Sequence, residues 1–420
     1  MPSTPHIGLL SSAAWLKSAA LARIFAALDA GRGKSRVIGG AVRNALMGLA
    51  ISDIDIATEL LPEDVIERAT AAGLHVYPTG LVHGTVTVVA DGLAVEVTTL
   101  RRDVETDGRR AVVAFTTDWH EDALRRDFTI NALSCDANGD VFDTVGGLDD
   151  LKARRVRFIG KAEDRIAEDY LRVLRFFRFT SAYAEGETDA RGLAACLALK
   201  DGLKQLSAER IGAEVMKFIV TPRACEIANV IESGGIFEII AGHAAIPAHL
   251  VHLQAIERAL GEAPDAIARL TVLLVTTPEQ ARTLAQRLRL SNADSSALAA
   301  AAAKAFTSNL NGIQDPSGSS ERAEMYRLGP DAFSRAVRVA WARSGTLATD
   351  PAWRLKSLLA TRWSPPIMPF SGTDVLALGI PAGPRIGRTL RAYEAWWIEA
   401  GFPTDRTAQC ARITALAEQS

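Results

Sequence analysis

Asp53 and Asp55 are two carboxylates separated by one residue, and Asp53 follows the run Gly39-Gly40-Ala41-Val42-Arg43 by ten positions. The segment Ile51 to Ala57 (ISDIDIA) alternates with period two, which predicts a strand carrying both carboxylates on one face. Two such groups repel in a partly dry site unless a cation lies between them. Magnesium is commonly held by one or two carboxylates together with substrate phosphates. Paired metal ions can activate an attacking hydroxyl and stabilise a leaving oxygen. A Gly-Gly turn lets backbone N–H groups approach an anion, and Arg43 adds a charged donor. A lone DxD arises often from surface alternation. The turn, the arginine and the DxD in this order point to metal-assisted nucleotide chemistry. Glu96, between Val95 and Val97, is read either as a third carboxylate of the same site or as a solvent-facing strand glutamate.

A second constellation is Arg125-Arg126-Asp127-Phe128-Thr129-Ile130-Asn131. Polar side chains in an apolar frame are costly without partners. Arginines suit phosphate oxygens, and Asp or Asn suits a ribose hydroxyl; an ion-pair network bracing a sheet is the competing explanation. A third is Glu168-Asp169-Tyr170-Leu171-Arg172, continued by Arg175 and Arg178. On one continuous helix Asp169 and Arg172 would share a face. They could complement the hydrogen-bonding edge of a base or form a plain intrahelical salt bridge. Spacing alone favours the salt bridge.

The elements that must position these groups fall into two textures. Up to about residue 150 helix-like and strand-like segments alternate: an amphipathic helix within 13–30, a strand at 36–38, a helix over 62–72, and strands at 85–89 and 93–99 joined by Asp91-Gly92, a hairpin signal. This predicts a small mixed sheet with flanking helices. Beyond residue 160, Ala, Leu, Arg and Glu recur at helical spacing, as in 164–182, 207–220, 252–262, 278–290 and 293–307. Thr307 to Ser320 carries the turn residues of a linker.

At 420 residues the chain has room for two or three domains. Its four cysteines are scattered without a CxxC pair, which argues against a thiolate zinc site or a disulfide framework and fits a reducing cytoplasm. No apolar run approaches the roughly 20 residues of a membrane span, and no secretion signal is read at the start of the chain. The net charge of −2 gives no global basic character. Positive charge is concentrated between Lys152 and Arg178, where nine cations face four carboxylates. Charge alone leaves this stretch open between a nucleic-acid contact and a solvated helix face.

The order GGAVR (39–43), DxD (53–55), HGTVTVV (83–89), EVTTLRRD (96–103), RRDFTINAL (125–133), DTVGGLDDL (143–151), EDYLRVLRFFRF (168–179) and SAERIGAEVMK (207–217) resembles the class II tRNA nucleotidyltransferases. These are the CCA-adding enzymes of bacteria and eukaryotes, which share a superfamily with bacterial poly(A) polymerases. The likeness runs from residue 36 to about 220, with a weaker one at 369–390. It implies an α+β fold: a nucleotidyltransferase head of the DNA polymerase β type (1–150), then an all-helical neck for base recognition (151–222), body (223–310) and tRNA-binding tail (311–420). By the same resemblance Asp53 and Asp55 would hold two Mg2+ ions, with Glu96 at a position where relatives carry an acid. Gly40 and Arg43 would meet the triphosphate, Arg126 the nucleotide, and Asp127 the ribose. Asp169 and Arg172 would act as an amino-acid template for C or A, flanked by Arg175 and Arg178. Residues 143–147 would form the head–neck hinge, and 102–118 a flexible loop that helps switch from C to A. The implied substrates are CTP, ATP and the 3′ end and acceptor arm of tRNA. Relatives that make poly(A), or add only CC or only A, share the head and neck. A non-catalytic RNA-binding protein on the same scaffold is disfavoured because the carboxylates, the RRD and the template pair occur together. Two departures stand out: Asn44 replaces the usual aspartate of GGxVRD, and Phe176-Phe177 replace smaller residues.

Overall fold

The computed structural model describes residues 6–28, 34–107, 110–307 and 319–419. The chain divides into two compact units, Met1–Ile239 and Ile240–Ser420.

The described residues of the first unit form nine strands: β1 (Ser35–Ile38), β2 (Asp55–Thr58), β3 (His75–Gly80), β4 (Thr85–Ala90), β5 (Leu93–Thr99), β6 (Arg101–Asp107), β7 (Arg110–Phe115), β8 (Ser134–Cys135) and β9 (Val141–Phe142). Seven form one mixed sheet in the order β3-β4-β5-β2-β1-β8-β9, with β2 and β5 parallel and the other neighbours antiparallel. The β4–β5 hairpin turns on Asp91 and Gly92, both with positive φ (49° and 81°), as the sequence pair implies. β4 alternates strictly, burying Val86, Val88 and Ala90, and the helices Ala19–Ala27 and Pro62–Ala71 pack against it. Ser18 caps the first of these helices, so it is shorter than the apolar spacing from residue 13 suggests.

Two local expectations change. Strand β2 begins at Asp55, not Ile51, so Asp53 lies on the irregular segment before it. The aperiodic stretch from Arg102 is largely a two-stranded antiparallel ribbon, β6 with β7, paired from Arg101↔Phe115 to Asp107↔Arg110 with a register shift between Asp103 and Glu105.

Helices then take over. The helical run predicted over 164–182 is two helices, Ala162–Glu168 and Leu171–Tyr183, broken at Asp169, whose backbone is extended. Phe176 packs among Phe128, Phe158 and Phe177, and a Cβ at Gly192 would sit 2.7 Å from its ring. The large Phe176 side chain is thus accommodated by a glycine on the helix Ala190–Leu199.

Among its described residues the second unit has helices joined by loops and no strand. The apolar segment Leu270 to Val275 is core: it lies in and just after the helix Ala266–Leu274, where a buried Arg269–Glu257 pair closes at 2.7 Å. Phe370, Val375, Tyr393, Trp397 and Ile413 form a second cluster toward the end of the chain. The linker reading for 307–320 falls largely on residues outside the described ones.

Candidate active site

The sheet register sets the centre of the site. Ile38 on β1 pairs with Asp55 on β2, so the chain leaves β1 at Gly39 beside that carboxylate. Gly39 has φ 67°, a conformation that favours glycine, and it starts the helix Gly40–Leu46. On the other side of β2, Glu96 of β5 is the parallel partner of Asp55. Burial first, then Glu96 and Asp53, push the Asp55 carboxyl above its ordinary value, against a smaller opposing effect of Arg126. The neighbouring carboxylates therefore raise the proton affinity of Asp55, as in an uncompensated cluster.

A cavity of about 700 Å³ opens at this point. Gly40, Arg43, Asp53, Asp55, Arg126, Asp127, Asp169, Arg172, Arg175 and Arg178 all line it. Glu96 is exposed and is not part of that lining, although its register places it beside Asp55 on the same face of the sheet. Asn131, Tyr183, Arg210 and Lys217 also line the cavity and were not singled out as site residues from sequence. Asn131 was visible within RRDFTIN. Arg210 and Lys217 lay within SAERIGAEVMK, where helical spacing puts them on one face two turns apart, and that was the available signal.

The arginine-rich walls are held by carboxylates from other segments. Asp122, nearly buried, takes Arg125 Nη2 and Arg126 Nη2, each at 2.9 Å. Arg175 donates through Nε (2.8 Å) and Nη2 (2.6 Å) to Asp127 Oδ2. Asp127 Oδ1 accepts from the Phe128 N–H (2.8 Å) and from Asn131 Nδ2 (2.9 Å). Burial pushes the Asp127 carboxyl up, but Arg175 and these donors hold it below the usual range. Arg178 pairs with buried Glu214 at 2.6 Å. The RRD segment is an ion-pair network, as one of its two readings has it, and it also lines the cavity. Part of the surplus charge between Lys152 and Arg178 is paired from outside that window, by Asp127 with Arg175, Asp150 with Arg155 and Arg157, and Glu214 with Arg178, while Lys152, Arg155, Arg157 and Lys161 remain exposed.

The third constellation requires a correction. Asp169 and Arg172 do not share a continuous helix face and do not form the intrahelical pair. Asp169 Oδ2 accepts from Arg210 Nη2 at 2.6 Å, and Oδ1 accepts from the Leu171 N–H at 3.1 Å, capping the second helix. Arg172 donates to Glu168 (2.6 Å), to the Arg165 carbonyl (2.8 Å) and to the Arg125 carbonyl (3.1 Å). Both groups still reach the cavity.

Behind the site, one carboxylate organises the 143–147 segment. Asp143 accepts four backbone N–H groups, from Val145, Gly146 and Gly147 at Oδ1 and from Leu148 at Oδ2, between 2.9 and 3.1 Å. A Cβ at Gly147 would fall 2.3 Å from the Thr129 carbonyl oxygen, so close approach requires glycine there.

Residues 35–157 match the sequence model of the poly A polymerase head domain. The mouse mitochondrial CCA tRNA nucleotidyltransferase 1 is 33% identical over 383 residues, covering 88% of this chain and 84% of that protein. The chain belongs to the CCA tRNA nucleotidyltransferase family. A CCA-adding enzyme of Streptococcus pyogenes is 41% identical over 190 residues, 44% of this chain and 45% of its own length. The crystal structure of the Bacillus stearothermophilus CCA-adding enzyme in complex with CTP superposes with a TM-score of 0.69 at 26% identity, covering 96% of this chain and 98% of that one. A Thermotoga maritima CCA-adding enzyme complexed with tRNA, at 19% identity and TM-score 0.64, shares the fold. This CCA tRNA nucleotidyltransferase family member is therefore a nucleotidyltransferase, with a mixed-sheet head and a helical remainder.

Proposed function

We propose that the protein adds C, C and A to the 3′ end of tRNA from CTP and ATP, releasing pyrophosphate. The observation that carries this is the single cavity that gathers the Asp53/Asp55 carboxylates, the Gly40 turn, the arginine walls and the Asp169/Arg172 pair. Relatives with this name span most of the chain, and one structural relative at 26% identity was solved with CTP.

Among the described residues no group of three His, Cys, Asp or Glu side chains is arranged to hold a metal ion. The donor set nonetheless fits Mg2+: carboxylate oxygens whose mutual repulsion raises the Asp55 proton affinity, with phosphate oxygens completing the coordination. Asp53 and Asp55 would hold two ions, with Glu96 acting on Asp55 from the neighbouring strand. Bound there, the metal supplies activation of the attacking 3′-hydroxyl and charge stabilisation at the α-phosphate and leaving pyrophosphate.

The chain's own residues do the rest. Gly40 and Arg43 face the triphosphate, and Arg126, fixed by Asp122, presents its remaining N–H groups to the nucleotide. Asp127 and Arg175 together select ribose. Asp169 accepts from an exocyclic amino group, which cytosine and adenine both carry, and Arg172 donates beside it. Arg175 and Arg178 lie against Phe179, their guanidinium carbons 5.2 and 4.4 Å from its ring centre. Division into head (1–150), neck (151–222), body (223–310) and tail (311–420) is part of this proposal, with the later segments seating the tRNA. So is a cytoplasmic location, supported by four free cysteines, three of them buried. No helix among the described residues is long and apolar enough to cross a membrane.

The test uses three tRNAs, ending before CCA, after C and after CC, each incubated with a single nucleotide. CCA addition gives C on the first two and A only on the third. Open-ended A addition would favour a poly(A) polymerase, and a missing step would favour a CC-only or A-only enzyme.

A further inference from the structure

The helix Ala208–Ile219 packs on the helix Leu171–Tyr183, and side-chain bonds fix their register. Arg210 pairs with Asp169 at 2.6 Å, Glu214 pairs with Arg178 at 2.6 Å, and Thr221, just past the helix end, bonds to Ser181. The two helices therefore run parallel, and Lys217 falls between the Glu214 and Thr221 levels, alongside Arg178 to Ser181. At that end of the cavity Tyr183 meets Arg43: its hydroxyl accepts from Nη2 at 2.7 Å, and its ring centre lies 3.9 Å from the guanidinium carbon. Arg210 marks the opposite end, beside Asp169. Seven residues, about 10 Å of helix rise, separate it from Lys217 on one face of the helix.

Charge pairing singles out Lys217. Asp122, Glu168, Asp127, Glu214 and Asp169 pair with the cavity arginines other than Arg43, which is held by Asn44, Asn131 and Tyr183. Lys217 lines the same cavity, and among the described residues it has no ion-pair or hydrogen-bond partner. Glu214, one turn earlier on the same face, is the acid it would meet. That acid is buried and committed to Arg178 and, at 3.7 Å, to Arg175. An ammonium without a counter-charge is a compact point charge suited to phosphate oxygens.

We infer that Lys217 binds the β- and γ-phosphates of the incoming nucleoside triphosphate. Its place along the helix decides which part of the nucleotide it meets. A base held at Asp169 and Arg172 sends its triphosphate toward Arg43, and Lys217 stands at that end, remote from the base. Lys217 is therefore blind to base identity and serves the C and A steps alike. This inference rests on the nucleotide reading proposed above.

The experiment compares the parent with Lys217→Met, which keeps an apolar stem without the charge, and Lys217→Arg, which keeps the charge. Calorimetry without tRNA gives Kd for CTP, ATP, CMP and inorganic tripolyphosphate, and C addition gives KM for tRNA. Lys217→Met is expected to weaken CTP, ATP and tripolyphosphate together, by roughly tenfold, the effect of losing one charge in a partly dry site. CMP, which lacks the outer phosphates, and the KM for tRNA should be unchanged, and Lys217→Arg should stay close to the parent. A raised KM for tRNA with unaltered triphosphate binding would place Lys217 on the RNA backbone and overturn the inference. Equal weakening of CTP and CMP would overturn it too, since the outer phosphates would not be what the lysine meets. No change in any constant would return Lys217 to a solvated side chain. Binding is read without turnover, so a parent that binds CTP but adds no C to any tRNA would overturn the proposed function and leave these comparisons decisive for Lys217. Melting temperatures of both variants confirm that folded proteins are compared.

Discussion

The carboxylate of Asp169 lies 2.6 Å from Nη2 of Arg210, on another helix, and is not bonded to Arg172 three residues away. The helix break at Asp169 is what makes this possible, since its extended backbone takes the residue off the helix that carries Arg172, while Oδ1 still accepts from the Leu171 N–H. The two template candidates are therefore anchored independently, and their substitutions should behave differently.

Asp169→Ala removes a half-exposed ion pair and should cost below about 1 kcal/mol. Its effect belongs in nucleotide choice: kcat/KM for CTP and ATP relative to UTP and GTP should collapse, because the carboxylate accepts from amino groups that uracil and guanine lack at the matching position. Arg172→Ala should lose discrimination and stability together, by about 1–3 kcal/mol, because it strips the donors from Glu168 and from two carbonyls. An unchanged nucleotide ratio in Asp169→Ala would assign that residue to helix capping alone.

Metal use is checked by melting as well as by turnover. The ionised Asp55 carboxylate is disfavoured by burial and by Glu96 and Asp53, so its proton affinity is higher folded than unfolded. Such an acid loses stability as pH rises through its folded value. Asp55→Asn should thus melt no lower than the parent without metal, while Mg2+ with CTP should raise the melting temperature of the parent only. Incorporation of both nucleotides should vanish in Asp53→Ala and Asp55→Ala. Equal stabilisation of parent and Asp55→Asn by Mg2+ would place the ion elsewhere.

How far the sequence carried this picture depends on locality. The Asp91-Gly92 turn, the alternation of β4 and the ten-residue offset from Arg43 to Asp53 are local signals, and the structure keeps them. The pairing of Asp55 with Glu96 is a parallel register between strands far apart in the chain, which no spacing encodes. The break at Asp169 was hidden because the apolar period runs on through it, while the carboxylate itself caps the next helix. The basic stretch was left open for a related reason: some of its counter-charges, Asp127 and Glu214, come from outside the window. Periodicity reports what faces the core and is silent on which distant acid faces which arginine.

Asp150 tests the scaffold behind the site. Its side chain is fully buried and accepts from Thr129 Oγ1 at 2.6 Å, from Arg155 Nε at 2.8 Å and from Arg157 Nε at 2.9 Å. Burial pushes its carboxyl up, but Thr129 and the two arginines bring it below the ordinary value. A depressed acid contributes stability that is present above its unfolded value and lost as pH falls through its folded one. Asp150→Asn should melt lower than the parent at neutral pH, by about 1–3 kcal/mol in stability, with the gap closing as pH falls below the ordinary carboxylate range. A gap that does not change with pH would mean the loss is one of shape, not charge.

The β6–β7 ribbon gives a prediction on the order of addition. Its pairing is confined to itself as a separate two-stranded sheet, so its removal does not take a strand from the main sheet. Replacing residues 103–113 with a short Gly/Ser link should spare the two C additions and impair the final A. Equal loss of every step, with a lowered melting temperature, would show that the ribbon supports the fold.

The proposed ribose selection is constrained by the acceptor count at Asp127. Both oxygens are used twice: Oδ1 by the Phe128 N–H and Asn131, Oδ2 by Nε and Nη2 of Arg175. A carboxylate offers about four acceptor positions, so none remains for a ribose hydroxyl while Arg175 stays in place. Either the hydroxyl displaces Arg175, or Asp127 acts by aiming Arg175 at it. In both cases the two residues form one unit, and their effects should not add. The preference for ATP over dATP should fall in Asp127→Ala, in Arg175→Met and in the double variant to about the same extent. Arg175→Lys should restore little, because a single ammonium cannot replace the paired Nε and Nη2 donors. A full preference in Arg175→Met beside a lost one in Asp127→Ala would leave the aspartate reading the hydroxyl alone.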